Sequence, residues 1–123
     1  MTLTQNPLNN IEAIWRNELV NNILPFWNAA IDTENGGVYT CFSNDGSALL
    51  SHDKYIWSQG RFLWNWSRQA YLIEQGYLDG DAKSYIDQAK LTADFLDKNA
   101  LLENGNCCFV LTENGNKKRT HEW

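Results

Sequence analysis

The chain has 123 residues, of which 43% are hydrophobic and 13% aromatic, with six tryptophans. This is a common size for one domain, and it supplies enough apolar surface for a packed core, which argues against a disordered protein. The formal net charge is -5, and the one basic cluster, Lys117–Arg119, is too short to form a nucleic-acid surface. We therefore expect no nucleic-acid partner and interpret the cluster as a solvated turn.

The cysteines and the termini indicate the compartment. Cys41, Cys107 and Cys108 are an odd count with one adjacent pair, which is not a disulfide framework. The N-terminus lacks a basic region followed by an apolar run, and no apolar stretch approaches membrane-spanning length. These features predict a cytoplasmic protein with reduced cysteines and no membrane partner. Neither His52 nor His121 has the spaced ligands of a metal site, so we predict no metal.

Three stretches show helical periodicity. The first runs to Pro25, which is expected to kink or end the regular helix. The second is predicted over about 58–75, with Gly76 as a left-handed C-terminal cap. The third begins near Asp81, with Asp79 or Asp81 as its N-terminal cap. The predicted apolar faces are Ile11, Ile14, Trp15, Leu19, Ile23, Phe26 and Trp27, then Gln59, Phe62, Leu63, Trp66, Ala70 and Ile73, then Ala82, Tyr85, Ile86, Ala89, Ala93 and Leu96.

Short strands are predicted between the helices. Residues 38–42 are rich in strand formers, Asn44-Asp45-Gly46 is a strong turn signal, and 48–50 is a weaker second strand. A further strand is predicted over 107–112, between two Glu-Asn-Gly-Asn turns. The fold is therefore predicted to be mainly α, with about three helices and small β-hairpins between them. Helix pairs of this kind bury their apolar faces only against neighbours, as in a solenoid or a toroid.

The segment Asp-Lys-Tyr-Ile-Trp-Ser-Gln-Gly-Arg, 53–61, places an aromatic pair, an amide and a cation at the step from the hairpin to the second helix. It follows a Gly-Gly pair at 36–37 with an aromatic strand behind it and an Asp-Gly turn at 45–46. It precedes Phe-Val-Leu-Thr at 109–112. In this order, the pieces resemble the start of the N-acylglucosamine 2-epimerase family, which epimerises sugars at C2. The resemblance is collinear over about 15–112.

The resemblance implies part of a longer enzyme. Members of the family fold as an (α/α)6 barrel, so residues 1–123 would form the N-terminal fragment of one barrel domain whose remainder is absent. The family's acid and base histidines lie downstream of the matched region, and neither His52 nor His121 occupies their motif positions. We therefore expect the chain to be inactive alone. We expect no cofactor. ATP is an effector of some members, but no Gly-rich phosphate loop places it here. A homodimer is a candidate assembly of the complete protein.

Arg61 is the predicted catalytic residue. Epimerisation at C2 removes a proton beside a carbonyl, so negative charge develops on the carbonyl oxygen and needs a donor. The guanidinium of Arg61 offers a fork of donors, and by resemblance it would bind the sugar and stabilise that charge. The alternative is a structural ion pair at a helix start, although the helix dipole disfavours a cation there.

Tyr55, Trp57 and Gln59 are the predicted substrate-binding residues. Tyr55 and Trp57 alternate in a segment predicted to be extended, so they are expected to share a face and stack on the sugar. Core packing is the alternative for both residues. Gln59 could bind a sugar hydroxyl or satisfy a loop backbone.

The resemblance implies an isomerase acting on a small sugar. The expected reaction in the complete protein is the interconversion of N-acetylglucosamine and N-acetylmannosamine, by deprotonation and reprotonation at C2. Within the family, cellobiose 2-epimerase and mannose isomerase are alternatives. Outside it, the chain could be a non-catalytic helical interaction module or an inactive truncated product, because unpaired helices leave apolar edges exposed.

Overall fold

The computed structural model describes residues 7–119. The chain divides after Ala30 into two compact units. The first unit is helical, and the second contains two long helices and five short strands. Within residues 7–119, no helix combines the length and the apolar character needed to cross a bilayer.

The first unit is a helical segment with an irregular middle. Helix α1 spans Pro7–Glu18, a π-helical turn spans Leu19–Ile23, and helix α2 spans Leu24–Asn28. Pro25 was expected to kink or end the regular helix, and the helix continues through it with an irregular turn before it. It has no N–H to donate to the preceding turn, and the helix widens just before it, so that the Leu24 N–H donates to the carbonyl of Leu19. The predicted apolar stripe is largely exposed, and no residue of α1 is buried.

The two long helices of the second unit pack against each other. Helix α3 spans Ile56–Glu74 and helix α4 spans Ala82–Asn99. Trp66 of α3 contacts Tyr85 of α4 with ring centroids 5.8 Å apart. Trp66 is 1% exposed and Trp64 is 64% exposed, which confirms that Trp66 belongs to the apolar face and Trp64 does not.

The helix ends follow local chemistry. Gly76 adopts a left-handed conformation with φ +76°, as predicted for the end of α3. Asp81 precedes α4, and its side chain accepts a hydrogen bond from the Lys83 N–H at 3.0 Å, which identifies it as the cap rather than Asp79. The start of α3 was predicted two residues too late, at Ser58 instead of Ile56.

The strands form two small antiparallel sheets. Strands β1 (Cys41–Phe42) and β2 (Leu49–Ser51) form the predicted hairpin. Strands β3 (Lys54–Tyr55), β4 (Val110–Leu111) and β5 (Lys117–Arg119) form the second sheet, with β4 in the middle. The basic cluster is therefore an edge strand and not the solvated turn expected from its charge.

The strand predicted over 107–112 is shorter in the structure. Cys108 donates its N–H to the carbonyl of Ala100, and Cys107 forms an isolated bridge with Leu101, so only Val110–Leu111 remains to pair within the sheet. All three cysteines are free, with Cys107 exposed and Cys108 buried. Cys108 packs with Phe95 and Leu111 in the core of the second unit.

Replacing Asp81 with alanine should lower the free energy of unfolding by about 1 kcal/mol, because the capping hydrogen bond to Lys83 is lost. Urea denaturation followed by far-UV circular dichroism measures the change. Asp79→Ala is the matched control, because Asp79 lies two residues before the cap, and it should change stability by less than about 0.5 kcal/mol. Equal losses from the two variants would contradict the assignment of the cap.

Candidate functional site

Arg61 and Trp57 lie together on the exposed side of the first turns of α3. They are four residues apart and therefore neighbours on the helix surface. The Cζ atom of Arg61 lies 4.6 Å from the centroid of the Trp57 ring, a cation–π contact, and Trp57 is 58% exposed. In the described part of the chain Arg61 forms no ion pair, so the structural alternative proposed for it is not observed there. Its donors are therefore available to a ligand.

Tyr55 and Trp57 do not share an extended segment, so that prediction was wrong. Strand β3 ends at Tyr55, whose backbone is extended, and α3 begins at the next residue. Tyr55 pairs with Val110 in the sheet, and its ring packs edge-on against Phe109 at 5.7 Å. Trp57 is instead on the helix surface beside Arg61. Tyr55 and Trp57 therefore have different environments, one in the sheet layer and one exposed.

Gln59 is fully buried one turn into α3. Its Oε1 accepts a hydrogen bond from the N–H of Val38 at 2.8 Å, and its Nε2 donates to the carbonyl of Val38 at 2.9 Å. These are the contacts of the alternative in which Gln59 satisfies a loop backbone. A substrate-binding role for Gln59 stays a prediction, and the structure gives this side chain a different task, which is to join the 32–38 loop to the start of α3.

The close approach of that loop requires glycine. Gly37 has φ +82°, and a Cβ atom there would lie 2.9 Å from the Gln59 Oε1 and 3.3 Å from the Lys54 Cδ. Any larger residue at this position would be strained and would displace the buried side chains beneath it. Glycine at position 37 of the Gly-Gly pair is therefore required for the loop to pack against Gln59 and Lys54.

Lys54, for which the sequence predicted no separate role, is the centre of the buried polar contacts. It is 0% exposed, and its ammonium donates to the Asp32 carboxylate at 2.6 Å, the Gly36 carbonyl at 2.7 Å and the Glu113 carbonyl at 2.8 Å. Its Nζ also lies 4.6 Å from the centroid of the Phe95 ring. All three donors are used, so this buried cation is fully satisfied.

Asp32 is the counter-ion of Lys54. Burial alone would raise the pKa of Asp32, but hydrogen bonds from Lys54, Asn35 and Tyr39 lower it well below the ordinary value. The Asp32 Oδ1 also accepts the N–H groups of Glu34 and Asn35, each at 3.0 Å, which forms a tight turn. The turn-forming Asp-Thr-Glu-Asn-Gly sequence was a signal for that turn. No sequence signal pairs Asp32 with a lysine 22 residues away.

A chain of contacts leads from this ion pair to the surface. The Tyr39 hydroxyl contacts both the Asp32 carboxylate, at 2.9 Å, and the Glu113 carboxylate. The other contact of the Glu113 carboxylate is with the Nδ1 of His52, at 2.7 Å. We call Asp32, Tyr39, His52, Lys54 and Glu113 the Lys54 cluster. His52 is exposed, and the sequence did not predict its acidic partner.

No metal site follows from these residues. Within 7–119, no three His, Cys, Asp or Glu side chains come together as metal ligands would. His121, which the sequence leaves without metal-ligand partners, lies outside the described residues.

Comparison with known proteins places these features in a family. No protein-family profile matches the chain. The N-acylglucosamine 2-epimerase of Rattus norvegicus is 31% identical over 83% of this chain and 25% of its own length. The cellobiose 2-epimerase of Ruminococcus albus is 36% identical over 70% of this chain and 20% of its own. The chain belongs to the N-acylglucosamine 2-epimerase family. It spans about a quarter of the length of these relatives.

Solved structures confirm the predicted fold class. The cellobiose 2-epimerase of Bacillus thermoamylovorans superposes with a TM-score of 0.76 and 26% identity, over 90% of this chain and 27% of that one. The cellobiose 2-epimerase of Spirochaeta thermophila gives a TM-score of 0.73 over 97% of this chain and 28% of that one, at 21% identity. The fold of this epimerase-family chain is therefore part of an (α/α)6 barrel.

Lys54→Met should lower the free energy of unfolding by about 3–5 kcal/mol, because Asp32 would remain as an unpaired buried charge. The matched control is Lys83→Met, which breaks an exposed pair with Asp87 and should cost far less, because solvent screens that pair. Urea denaturation of both variants measures the difference. Similar small losses would mean that the Lys54 pair contributes no more than a surface pair.

The Asp32 carboxylate should stay ionised far into acid, because its pKa in the folded protein is depressed. The stability it contributes is complete above the unfolded pKa of about 3.9 and is lost as the pH falls through that value towards the folded one. The ¹³Cγ signal of Asp32, followed by NMR from pH 5 to pH 3, should therefore not titrate while the protein stays folded. In the Lys54→Met variant it should titrate at a higher pH. Titration of wild-type Asp32 near pH 4 would contradict the assignment.

Proposed function

We propose that this chain supplies part of the sugar site of a carbohydrate 2-epimerase, with Arg61 as the residue that binds the sugar oxygen bearing the developing charge. The supporting observation is the exposed Arg61 guanidinium on Trp57, at the start of a helix held by buried polar contacts. The names of the relatives supply the reaction class, which is epimerisation of a sugar at C2.

The chemistry explains why an arginine suits this position. Removal of the C2 proton from an open-chain sugar produces an enolate, whose negative charge grows on the carbonyl oxygen. Arg61 remains charged at any working pH, and it can donate several hydrogen bonds to that oxygen and to a neighbouring hydroxyl. The cation–π contact holds the guanidinium of Arg61 over the Trp57 ring, and in the described part of the chain Arg61 has no acidic partner. The exposed Trp57 ring offers an apolar surface for the sugar.

The proposed substrate pair is N-acetylglucosamine and N-acetylmannosamine. Support comes from the N-acylglucosamine 2-epimerases, which match the larger share of this chain: 83% for the rat protein against 70% for the cellobiose 2-epimerase of Ruminococcus albus. Cellobiose is the second candidate, because the match to that enzyme is the more identical one, at 36%. Mannose is a third candidate, as the substrate of an alternative member of the family; a D-mannose isomerase structure shares the fold, with a TM-score of 0.54 at 23% identity.

Proton transfer itself is proposed to need residues outside this chain. The described part contains one histidine, His52, whose Nδ1 is bound to Glu113 and which lies in the Lys54 cluster, not beside Arg61 in α3. The chain also spans only a quarter of its relatives. We therefore expect these residues to bind and orient a sugar without turning it over.

An interaction module is the second candidate function, and one observation favours it. Three exposed aromatic residues recur every seventh position along α3: Trp57, Trp64 and Tyr71. Such a stripe of apolar rings on one helix face is the type of surface that binds another helix. A sugar ligand and a protein partner would use the same face of α3 in different ways, because only the sugar would depend on the donors of Arg61.

Arg61→Ala should remove sugar binding, and Arg68→Ala should not. Arg68 is the matched control because it is an exposed arginine on the same helix, with its Cζ 5.0 Å from the Tyr71 ring. Saturation-transfer NMR of the chain with N-acetylmannosamine, cellobiose and mannose in turn measures binding and ranks the three sugars. Equal signals from both variants would remove Arg61 from the site. Absence of any sugar signal from the wild-type chain would favour the interaction module.

The same substitution tests catalysis in a complete epimerase that contains this segment. Arg61→Ala should lower the rate of C2 proton exchange by about 10²–10³-fold, as expected for the loss of one oxyanion donor. Deuterium incorporation at C2 of N-acetylmannosamine in D2O, followed by proton NMR, measures this rate. Activity within a few-fold of the wild type would contradict the role of Arg61, whereas the Arg68→Ala variant should retain that activity.

A further inference from the structure

The Tyr39 hydroxyl serves two carboxylates with one proton. Its oxygen lies 2.9 Å from the Asp32 Oδ2 and also within hydrogen-bond distance of the Glu113 Oε1. An ionised carboxylate only accepts hydrogen bonds, and a phenol has a single O–H to donate. Burial and the contacts with Glu113 and Asp32 raise the pKa of Tyr39 above its ordinary value, so this proton is retained. At any moment Tyr39 therefore donates to one carboxylate and leaves a bare oxygen–oxygen contact with the other.

The two carboxylates depend on that proton to different degrees. Asp32 has other donors, namely Lys54 and the backbone N–H groups of Glu34 and Asn35, so it remains satisfied without Tyr39. The Glu113 side chain is 43% exposed, and its other partner within the cluster is His52. Which carboxylate accepts the Tyr39 hydrogen bond therefore depends on how strongly His52 interacts with Glu113.

We propose that Tyr39 is a two-position proton donor controlled by His52, which links the protein surface to the buried Asp32–Lys54 pair. When His52 is protonated, its N–H and positive charge hold Glu113, and Tyr39 donates to Asp32. When His52 is neutral, Glu113 loses that charge and Tyr39 donates to Glu113. No bond other than hydrogen bonds changes, and the one proton exchanged with solvent is carried by the His52 ring.

The charges around the cluster support this coupling. With His52 protonated, two carboxylates, those of Asp32 and Glu113, face two cations, His52 and Lys54. With His52 neutral, the same two carboxylates face Lys54 alone, and Lys54 pairs with Asp32. Glu113 then has no cation beside its carboxylate within the Lys54 cluster, so it is the carboxylate that gains most from the Tyr39 hydrogen bond.

The remaining neighbours of His52 do not compete for this role. Asp53, the next residue in the chain, is paired with Lys118 at 2.6 Å. The Tyr39 ring packs against the His52 ring with centroids 5.2 Å apart, so the tyrosine contacts the histidine directly as well as through Glu113. Lys54 donates to the Glu113 backbone carbonyl, which fixes that residue in either state.

The test is NMR of the 123-residue chain labelled with ¹³C at Tyr Cζ, Asp Cγ and Glu Cδ, between about pH 5 and pH 8, where histidine changes charge. The Tyr39 and Asp32 signals should shift with the same midpoint as the ring signals of His52. In His52→Gln, an exposed substitution, both signals should stay flat. The control Lys118→Gln removes a nearby cation outside the Lys54 cluster and should keep the wild-type shifts.

A second variant gives an independent reading. The amide of Glu113→Gln can donate to the Tyr39 oxygen, so Tyr39 should donate to Asp32 at every pH, and the Asp32 signal should remain at its wild-type low-pH position. The proposal is overturned if the wild-type Asp32 and Tyr39 signals do not follow the His52 signals. It is also overturned if those two signals still shift with pH in His52→Gln, or if the Asp32 signal still shifts with pH in Glu113→Gln.

Discussion

The hydrogen bonds of the Lys54 ammonium are the interaction on which the second unit depends. They join three parts of the chain that are distant in sequence: the loop at Asp32 and Gly36, strand β3, and the turn at Glu113 that follows β4. Burying an ammonium costs several kcal/mol unless every donor is satisfied. The three acceptors therefore have to stay in place together, so a single side chain fixes the relative positions of a loop, a strand and a turn.

The same contacts fix the start of α3. Lys54 precedes the helix by two residues, and Gln59, within its first turns, binds both backbone groups of Val38. The helix is therefore attached to the same 32–38 loop on both sides of its first residue. Arg61 and Trp57 lie on the opposite, exposed side of these turns. A cation at a helix start is disfavoured by the helix dipole, and contact with the Trp57 ring partly offsets that cost.

Sequence was sufficient where local chemistry decides the structure. The Asn-Asp-Gly hairpin, the Gly76 cap and the capped start of α4 follow from residues within a few positions of one another. It was insufficient where distant segments decide. Strand β3 is defined by its pairing with the distant strand β4, in which Tyr55 pairs with Val110. Helix α3 begins at the next residue, so Tyr55 and Trp57 lie in different elements. Lys54 reads as an ordinary surface lysine until Asp32 and Glu113 are brought to it, and the burial of Gln59 depends on the same loop.

Lys54 and Arg61 differ in whether their hydrogen-bond donors are already used within the chain. Lys54 has no donor left for a ligand, so it can contribute to the proposed sugar site only by positioning other residues. Arg61 and Arg68 each lie over an aromatic ring on the same helix. Their difference is position: Arg61 is within two turns of the buried contacts at the helix start, whereas Arg68 is two turns further along. Groups that bind a reacting substrate must be held closely in one position, and residues packed beneath them restrict their movement. Arg61, the proposed sugar-binding residue, meets that condition because Gln59 and Lys54 anchor the turns from which it projects.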